Sequence, residues 1–373
     1  MKNKYLNIIL LFLIIILSIF FIIFNFYVIN EKKYLKKEMI DDFKRIGDDR
    51  GRFLSLLLNE NDSYPDNEQV MTDYTKEIKF LFFGDLMLDR NVKNKIDKYG
   101  LDYLLEELKN TNFTYGYDVI ACNLEGAVSD GGQHYLPDNL YDFAFAPELI
   151  SQLKNYYFNY LSVANNHLSD QGDRGIEETY KNLSSENFYY SGCRDAFLSP
   201  STTSTVISWG DSMPILNEAN CSDIILKING QKVAMLSISA VYEEIDQEEI
   251  LNRIKKLKSE SDWLIVNSHI GIEYQTLSSK KQRDLYRAMI DAGADAIIGH
   301  HPHVAQEYEI YKEKPIFYSL GNFIFDQYFS AETQSGLAVT LIFKVDKSID
   351  FNVYQIRTEG SKLIEIIKIE KTL

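Results

Sequence analysis

At residues 78–85 the chain reads IKFLFFGD, a short apolar run that ends in a glycine and an acid. The same form returns at residues 296–303, where AII runs into GHHPH. Short apolar runs bounded by turn residues predict buried strands, and helical patterns between them predict crossover helices. One such pattern spans Gln282 to Ala292, and Gly293 follows it as a cap. Alternating strands and helices predict an α/β fold with covered sheets.

Polar side chains follow the predicted strands at the point where each strand ends. They are Asp85, Asn123, Glu125, Asn165, Asn166, His167, His269, His300, His301, His303 and Asn322. In α/β folds the carboxyl ends of the strands build the sites, so we expect the functional site there. Two or three further strands are predicted from the stretches 337–345, 351–357 and 363–369. The stretch 199–222, with its Ser, Thr, Pro and Asn residues, is predicted to be a surface insertion.

Histidines concentrate at these strand ends. Five of the six in the chain stand there, and His134 falls outside. Imidazoles together with carboxylates and an amide suit a borderline divalent metal such as manganese, iron or zinc, rather than calcium or a thiolate zinc site. Residues two apart on an extended segment point to the same face, so His301 and His303 are predicted to reach one site while His300 faces away from it.

The predicted ligands of one or two metal ions are Asp85, Glu125, Asn166, His269, His301 and His303. The two carboxylates are the candidates for holding and bridging the ions, since two ions about 3.5–4 Å apart need a bridging group. His167 is predicted to protonate a leaving oxygen, which makes it, with Asp85 and Glu125, a catalytic candidate. Residues predicted to support the ligands or to contact the substrate are Arg90, Asn123, Asn165, Glu273, His300 and Asn322.

Three of these residues also have simpler interpretations. Asp85 could cap the next helix, and Asn322 could be only a turn residue. Glu125 could pair with Arg90 in a surface ion pair of little energetic weight. The sequence leaves these alternatives open.

The composition excludes several classes of protein. The 373 residues carry a formal charge of −15 at pH 7, and such an acidic chain is repelled by phosphate backbones, so we expect no nucleic-acid partner. A hydrophobic fraction of 45% excludes disordered and fibrous chains. Cys122, Cys193 and Cys221 are too few and too scattered to predict a disulfide framework or a structural zinc site.

The N-terminal segment predicts a membrane anchor. Residues 6–29 contain no formal charge, and a helix of that length at about 1.5 Å per residue covers the roughly 30 Å hydrocarbon core. The run is longer than the apolar region of a signal peptide, and no cleavage site follows it. We therefore expect residues 1–30 to be an uncleaved single-pass anchor, 31–76 a stalk and 77–373 the body. Lysines on both sides of the anchor leave its orientation open.

Six motifs between residue 80 and about residue 326 carry a family resemblance: FFGDLMLDR, NLEG, SVANNHLSDQG, SHIGIEYQ, IIGHHPHVAQ and YSLGNFIFD. Together they resemble the CapA family of capsule-synthesis and poly-γ-glutamate biosynthesis proteins. The resemblance implies a metallo-dependent phosphatase-like fold, which is a four-layer α-β-β-α sandwich. It also implies a component of the cell membrane, with an extracytoplasmic body, that works with polymer synthase subunits in making or exporting poly-γ-glutamate or another surface polymer.

The chain departs from the metallophosphatase pattern, and because of this departure the sequence leaves three hypotheses about its function open. Asp85-Leu86-Met87 stands where these enzymes carry Asp-x-His, and an extra histidine leaves the register between His300 and His301 open. The first hypothesis is a metal-dependent hydrolase of surface-polymer metabolism that cleaves a phosphoester or an amide. The second is a non-catalytic assembly or export subunit on the same fold. A cytoplasm-facing phosphatase, favoured by the lysines after the anchor, is the third.

Overall fold

The computed structural model describes residues 76–129, 142–193, 205–211, 223–241 and 246–369. The predicted anchor, the predicted stalk up to residue 75 and His134 lie outside the described residues. Within the described ranges, no helix is both long enough and apolar enough to cross a membrane.

Strands and helices alternate along the described chain, which confirms the predicted α/β class. The strands are β1 (Ile78–Leu86), β2 (Val119–Leu124), β3 (Ala127–Val128), β4 (Ala144–Phe145), β5 (Tyr160–Ser162), β6 (Tyr189–Ser191), β7 (Thr205–Ser208), β8 (Ile224–Ile228), β9 (Gln231–Ser239), β10 (Trp263–His269), β11 (Ala296–His300), β12 (Tyr308–Tyr311), β13 (Lys314–Phe317), β14 (Asn322–Ile324), β15 (Ser335–Phe343), β16 (Ile349–Glu359) and β17 (Lys362–Ile369). The helices are α1 (Arg90–Tyr99), α2 (Leu101–Asn110), α3 (Pro147–Gln152), α4 (Gly172–Ser185), α5 (Gln247–Glu260) and α6 (Lys280–Ala292), and a 3-10 helix covers Leu153–Tyr156.

The described strands form two large sheets and one small one. The order in the first sheet is β17-β16-β15-β1-β2-β5-β6, with β14 also paired to β1. The order in the second sheet is β12-β13-β11-β10-β9-β8-β7, and β3 pairs separately with β4. Strands β1, β2, β5 and β6 run parallel in the first sheet, and β9, β10, β11 and β13 run parallel in the second. The carboxyl ends of the parallel strands therefore meet at one end of each sheet.

An apolar core lies between the two large sheets. Trp263 of β10 packs against Phe343 of β15 with ring centroids 4.7 Å apart. A buried polar link also joins the sheets, because the Tyr160 hydroxyl of β5 lies 2.5 Å from Ser191 Oγ of β6 and 3.1 Å from Ser237 Oγ of β9. Hydrogen bonds are directional and apolar contacts are not, so this link fixes the register of one sheet against the other. Helices α1, α2 and α4 cover the first sheet, and α5 and α6 cover the second, which gives the body four layers.

Several predictions about segments can be compared with the structure. Two or three strands were predicted after residue 336, and the structure has three, β15, β16 and β17. Helix α6 confirms the predicted helix, and Gly293, with a φ of 123°, caps it. Part of the predicted surface insertion 199–222 is an edge strand, because β7 pairs with β8 in the second sheet. Cys193 is disulfide-bonded, a bond that the sequence analysis did not predict, and Cys122 is a buried free thiol.

Candidate metal centre

Asp85 lies at the carboxyl end of β1 and is fully buried, opposite Asn123 of β2. Gly84 permits a close approach of the chain before β14, because a Cβ on Gly84 would come 1.8 Å from the carbonyl oxygen of Gly321. Asn123 Nδ2 donates to Asp85 Oδ1 at 2.9 Å, and the backbone N–H of His301 donates to Asp85 Oδ2 at 3.3 Å. The Asp85 carboxylate therefore links residues of the two sheets.

Glu125 lies just past the end of β2 and is buried, and neither carboxylate oxygen has a hydrogen-bond partner among the described residues. Its Oε1 lies 3.6 Å from His303 Nε2 and 3.8 Å from His167 Nε2. A buried polar group without a partner costs about 1–3 kcal/mol, and a charged one costs more. Two buried carboxylate oxygens without partners, one of which faces two imidazoles, fit the ligand positions of a cation.

The three simpler interpretations of these residues are wrong. Helix α1 is capped by Asp89 rather than Asp85, since Asp89 Oδ1 accepts from the first N–H of the helix at 2.6 Å. Glu125 is fully buried, so a surface ion pair with Arg90 is excluded. Asn322 is the buried first residue of β14, and its side-chain oxygen lies 3.0 Å from a site histidine.

His269 ends β10 in the second sheet and contacts residues of the first. Its Nε2 lies 2.8 Å from Asn166 Oδ1, and its Nδ1 lies 3.2 Å from Asn123 Nδ2. Asn165 Nδ2 in turn donates to Asn123 Oδ1 at 3.3 Å. The structure thus brings the predicted ligands His269 and Asn166 together and places the two other asparagines behind them.

The histidines after β11 lie in a bend, and the extended segment that the sequence analysis assumed is wrong. His301 and His303 have φ angles of 94° and 58°, a left-handed conformation that strains residues other than glycine and concentrates at functional sites. Both side chains nevertheless reach one group with Glu273. His300, which was predicted to face away, has its Nδ1 3.2 Å from Asp85 Oδ1 and so contacts a predicted ligand.

Two sets of side chains could bind a metal, because within each set the ligand atoms lie within 4.8 Å of one another. We call them the cross-sheet group (Asp85, Glu125 and His269) and the loop group (Glu273, His301 and His303). The cross-sheet group combines the ends of β1, β2 and β10. The loop group comes from the segments that follow β10 and β11.

Burial and mutual charge shift the pKa values of the site. Burial and the charge of Asp85 raise the pKa of Glu125 well above its ordinary value. Burial alone would also raise the pKa of Asp85, but hydrogen bonding and charge from His300 hold that pKa below its ordinary value. Burial and neighbouring histidines lower the pKa of His269 far below its usual range and the pKa of His301 to about 3. Both histidines are therefore neutral near pH 7, the state in which imidazole binds metals.

His167 stands beside the cross-sheet group in a fixed orientation. Its Nδ1 lies 2.7 Å from Asp170 Oδ2, and its ring packs on Phe143 with centroids 4.2 Å apart. Its Nε2 faces Glu125. The sequence analysis missed Asp170, although a carboxylate three residues after His167 in NNHLSD is the signal that could have found it.

A cleft with a volume of about 440 Å³ opens beside the loop group. Arg90, Glu273 and Tyr274 are among its lining residues. Arg90 donates to both carboxylate oxygens of Asp326, a residue of the motif GNFIFD to which the sequence analysis gave no role. Tyr274 packs edge-on against Phe329 with ring centroids 5.1 Å apart, so one wall of the cleft is aromatic.

Comparisons with known proteins agree with the motifs of this site. The family model described as bacterial capsule synthesis protein PGA_cap matches residues 79–327. The capsule biosynthesis protein CapA of Bacillus anthracis is 28% identical over 316 residues, which cover 78% of this chain and 67% of that protein. The PGA biosynthesis protein CapA of Bacillus subtilis (strain 168) is 31% identical over 269 residues, which cover 69% of this chain and 65% of that protein.

Among solved structures, a hypothetical protein from Thermus thermophilus aligns at 14% identity with a TM-score of 0.42, covering 78% of this chain and 98% of its own. The chain spans about two thirds of the length of the two Bacillus relatives. The matched region runs from β1 to the residue after Asp326 and so contains every residue of both ligand groups. The chain therefore belongs to the bacterial capsule synthesis protein PGA_cap family.

Proposed function

We propose that this chain is a metal-dependent hydrolase that acts in the biosynthesis or export of a capsule polymer such as poly-γ-glutamate. The observation that carries the proposal is Glu125, a buried carboxylate whose two oxygens lack hydrogen-bond partners among the described residues and whose Oε1 faces His303 and His167. Membership of the capsule synthesis family supports a role in polymer metabolism.

The site residues fit a divalent metal such as manganese, iron or zinc. Besides Glu125, His301 Nδ1 is buried without a hydrogen-bond partner among the described residues. The possible metal-ligand atoms around it are carboxylate oxygens and imidazole nitrogens. The cross-sheet group would hold one ion and the loop group a second. A bound ion polarises a phosphoryl or carbonyl oxygen and lowers the pKa of a water molecule.

The chain's own residues supply the proton that a leaving group needs. Asp170 Oδ2 accepts from His167 Nδ1 at 2.7 Å and so orients the ring, with Nε2 towards Glu125. Phe143 holds the ring in one plane. His167 Nε2 would then give its proton to the leaving oxygen, a transfer that contributes about 10²–10⁴-fold in enzymes of this kind.

A non-catalytic assembly or export subunit on the same fold is the second candidate function. Met87 favours it, because this residue stands where metallophosphatases carry a histidine ligand. Met87 is fully buried, and its sulfur accepts from the N–H of Asp89 at 3.0 Å. If this second function is right, Asp85→Ala will still support polymer production in cells.

We also propose that residues 1–30 anchor the chain in the cell membrane and that the body lies outside the cytoplasm, with polymer synthase subunits as partners. The disulfide at Cys193 supports this side, because disulfides persist in oxidising compartments and are rare in the cytosol. A cytoplasm-facing phosphatase loses support for the same reason. Single cysteines placed in the stalk should react with a membrane-impermeant reagent in intact cells, and reaction only after lysis would contradict the proposal.

Hydrolase activity is tested with the full-length protein and chromogenic phosphate monoesters, phosphate diesters and γ-glutamyl anilides. We expect turnover of at least one substrate that a chelator abolishes and manganese restores, and that Asp85→Asn and His303→Gln both lose. Asp295→Asn is the matched control, since Asp295 is a buried carboxylate outside the site that pairs with Lys258. Metal-independent turnover, or full turnover by Asp85→Asn, would overturn the proposal.

A further inference from the structure

We propose that Arg90 and Asp326 form an anion-binding subsite in the cleft, which receives a carboxylate or phosphate group of the substrate. The inference rests on the proposed function in one respect: the cleft must admit the substrate that the metal ions of the cross-sheet group and the loop group act on. It deepens that function because it assigns a negative charge to the part of the substrate that lies next to His167.

Both members of the pair line the cleft, and the cation is the more exposed of the two. Arg90 Nε donates to Asp326 Oδ2 at 3.1 Å, Arg90 Nη2 donates to Asp326 Oδ1, and the backbone N–H of Asn91 also donates to Oδ2 at 3.2 Å. The side chain of Asp326 is 2% exposed and that of Arg90 is 28% exposed. The carboxylate thus lies beneath the guanidinium and fixes its orientation towards the cleft.

The backbone at Arg90 is held in a conformation that arginine does not prefer. Its φ is 53°, in the left-handed region where residues other than glycine are strained. Asp89 holds the chain there, because its Oδ1 accepts from the Arg90 N–H at 2.6 Å and its Oδ2 accepts from the Ala144 N–H at 3.0 Å. Strain that the surroundings maintain is concentrated at ligand-binding positions in proteins, and here it places the guanidinium at the cleft.

Arg90 and the predicted acid His167 share one aromatic wall. The Arg90 guanidinium carbon lies 5.0 Å from the centre of the Phe143 ring, and the His167 ring lies 4.2 Å from the same centre. All three residues line the cleft. A group bound to Arg90 therefore lies one aromatic ring away from the atom that would protonate the leaving group.

Charge makes an anion the expected ligand of Arg90. Among the described residues that line the cleft, Arg90 is the one permanent cation, while Glu273 and Asp326 are acids. The chain carries −15 as a whole, so an anionic substrate is repelled by most of the surface, and Arg90, whose charge Asp326 offsets in part, is the permanent cation in the described cleft lining that such a substrate can contact. The planar guanidinium also matches the paired oxygens of a carboxylate or a phosphate, whereas an ammonium group acts as a point charge.

The experiment is calorimetric titration of the full-length protein at constant manganese loading, with inorganic phosphate and glutarate as separate probes. The variants are Arg90→Met and Arg90→Lys. Arg287→Met is the matched control, because Arg287 makes the same two-bond pair with Glu309 outside the cleft, at 2.8 Å and 2.6 Å. Metal content of every variant is measured in parallel by elemental analysis.

We expect Arg90→Met to lower the affinity for at least one probe roughly 10- to 100-fold. Arg90→Lys should lower that affinity less, and Arg287→Met should bind both probes with the wild-type affinity. A loss confined to phosphate or to glutarate names the anion class of the substrate. Undiminished binding of both probes by Arg90→Met, no binding by the wild type, or loss of metal in both Arg90 variants overturns the proposal. If the probes bind through Arg90 but no substrate is hydrolysed, the subsite stands and the hydrolase function fails.

Discussion

Glu125→Gln tests whether the buried carboxylate serves to bind a cation. If it does, the carboxylate should destabilise the metal-free protein and stabilise the metal-bound one, relative to the glutamine variant. The change keeps the size and shape of the side chain and removes its charge. Because burial and Asp85 raise the pKa of Glu125, the folded protein holds that proton more tightly than the unfolded chain does. The metal-free wild-type protein therefore loses stability as the pH rises above 4.5, the ordinary pKa of glutamate, and the variant does not show that loss.

The expected size of the effect follows from the burial of both oxygens. The glutamine amide stays buried and keeps the cost of a neutral polar group, so the metal-free variant gains only the extra cost of the charge, on the order of 1–3 kcal/mol near neutral pH. For a domain of this size the gain is a rise in Tm of roughly 2–6 °C. Manganese at about 1,000 times its Kd stabilises the wild type by about 4.1 kcal/mol, and the variant, which lacks one ligand, gains far less. The order of stability should therefore reverse when metal is added.

The assay is thermal unfolding of the full-length protein in chelator and in manganese, near neutral pH and at about pH 4, where the metal-free difference should disappear. Asp295→Asn is the control, because Asp295 is buried but pairs with Lys258 and Lys314 at 2.7 Å and 2.9 Å. This control should lose stability with or without metal. The reasoning is refuted if Glu125→Gln lowers the Tm in chelator near neutral pH, or if manganese stabilises the variant and the wild type equally.

His167→Asn should lower kcat by about 10²–10⁴-fold while metal content stays at the wild-type level in elemental analysis. A parallel loss of metal would contradict a role of His167 in proton transfer. Tyr160→Phe removes one hydroxyl of the polar link between the sheets and leaves the 2.7 Å contact between Ser191 Oγ and Ser237 Oγ. It should lower the unfolding free energy by about 1 kcal/mol and weaken manganese binding, followed by electron paramagnetic resonance, more at the cross-sheet group than at the loop group. Equal weakening would contradict that role. The pKa of His301 is lowered from 6.5 to about 3, so the unfolded chain binds this proton more readily and the metal-free protein loses stability as the pH falls from 6.5. His301→Gln should flatten that part of an acid-unfolding curve. An unchanged curve would contradict the assignment.

The strand ends were predictable because their sequence pattern is local. The run before Asp85 is apolar and ends in glycine, and the run before His300 has the same form, so both ends can be located without knowledge of the fold. Parallel strands then place their carboxyl ends together, which brings residues that are far apart in sequence to one place. The same reasoning located the helix before Gly293.

The bend after β11 was not predictable because tertiary contacts determine it. Alternation along GHHPH suggested an extended segment, but His301 and His303 adopt left-handed φ angles. The Asp85 carboxylate accepts from the N–H of His301 at 3.3 Å, and Asp85 comes from the other sheet. No pattern within five residues can reveal a partner that lies 216 positions away.

The wall of the cleft was also beyond sequence reasoning. The sequence analysis identified Arg90 as a candidate and named Glu125 as its possible ion-pair partner. The partner in the structure is Asp326, which lies 236 residues further along the chain. The Phe143 ring contacts both Arg90 and His167, and a lone phenylalanine after a polar stretch carries no signal of such a role. Side-chain pairs between segments far apart in the sequence depend on packing, which one sequence does not encode in a readable form.

Metal content of the full-length chain, purified without chelator or a histidine tag, tests the central claim most directly. Elemental mass spectrometry should find one or two manganese, iron or zinc ions per wild-type chain. The amount should fall in Asp85→Asn and in His303→Gln, and it should stay unchanged in Arg287→Met. A wild-type chain without metal above background, even after reconstitution with all three metals, would contradict the account.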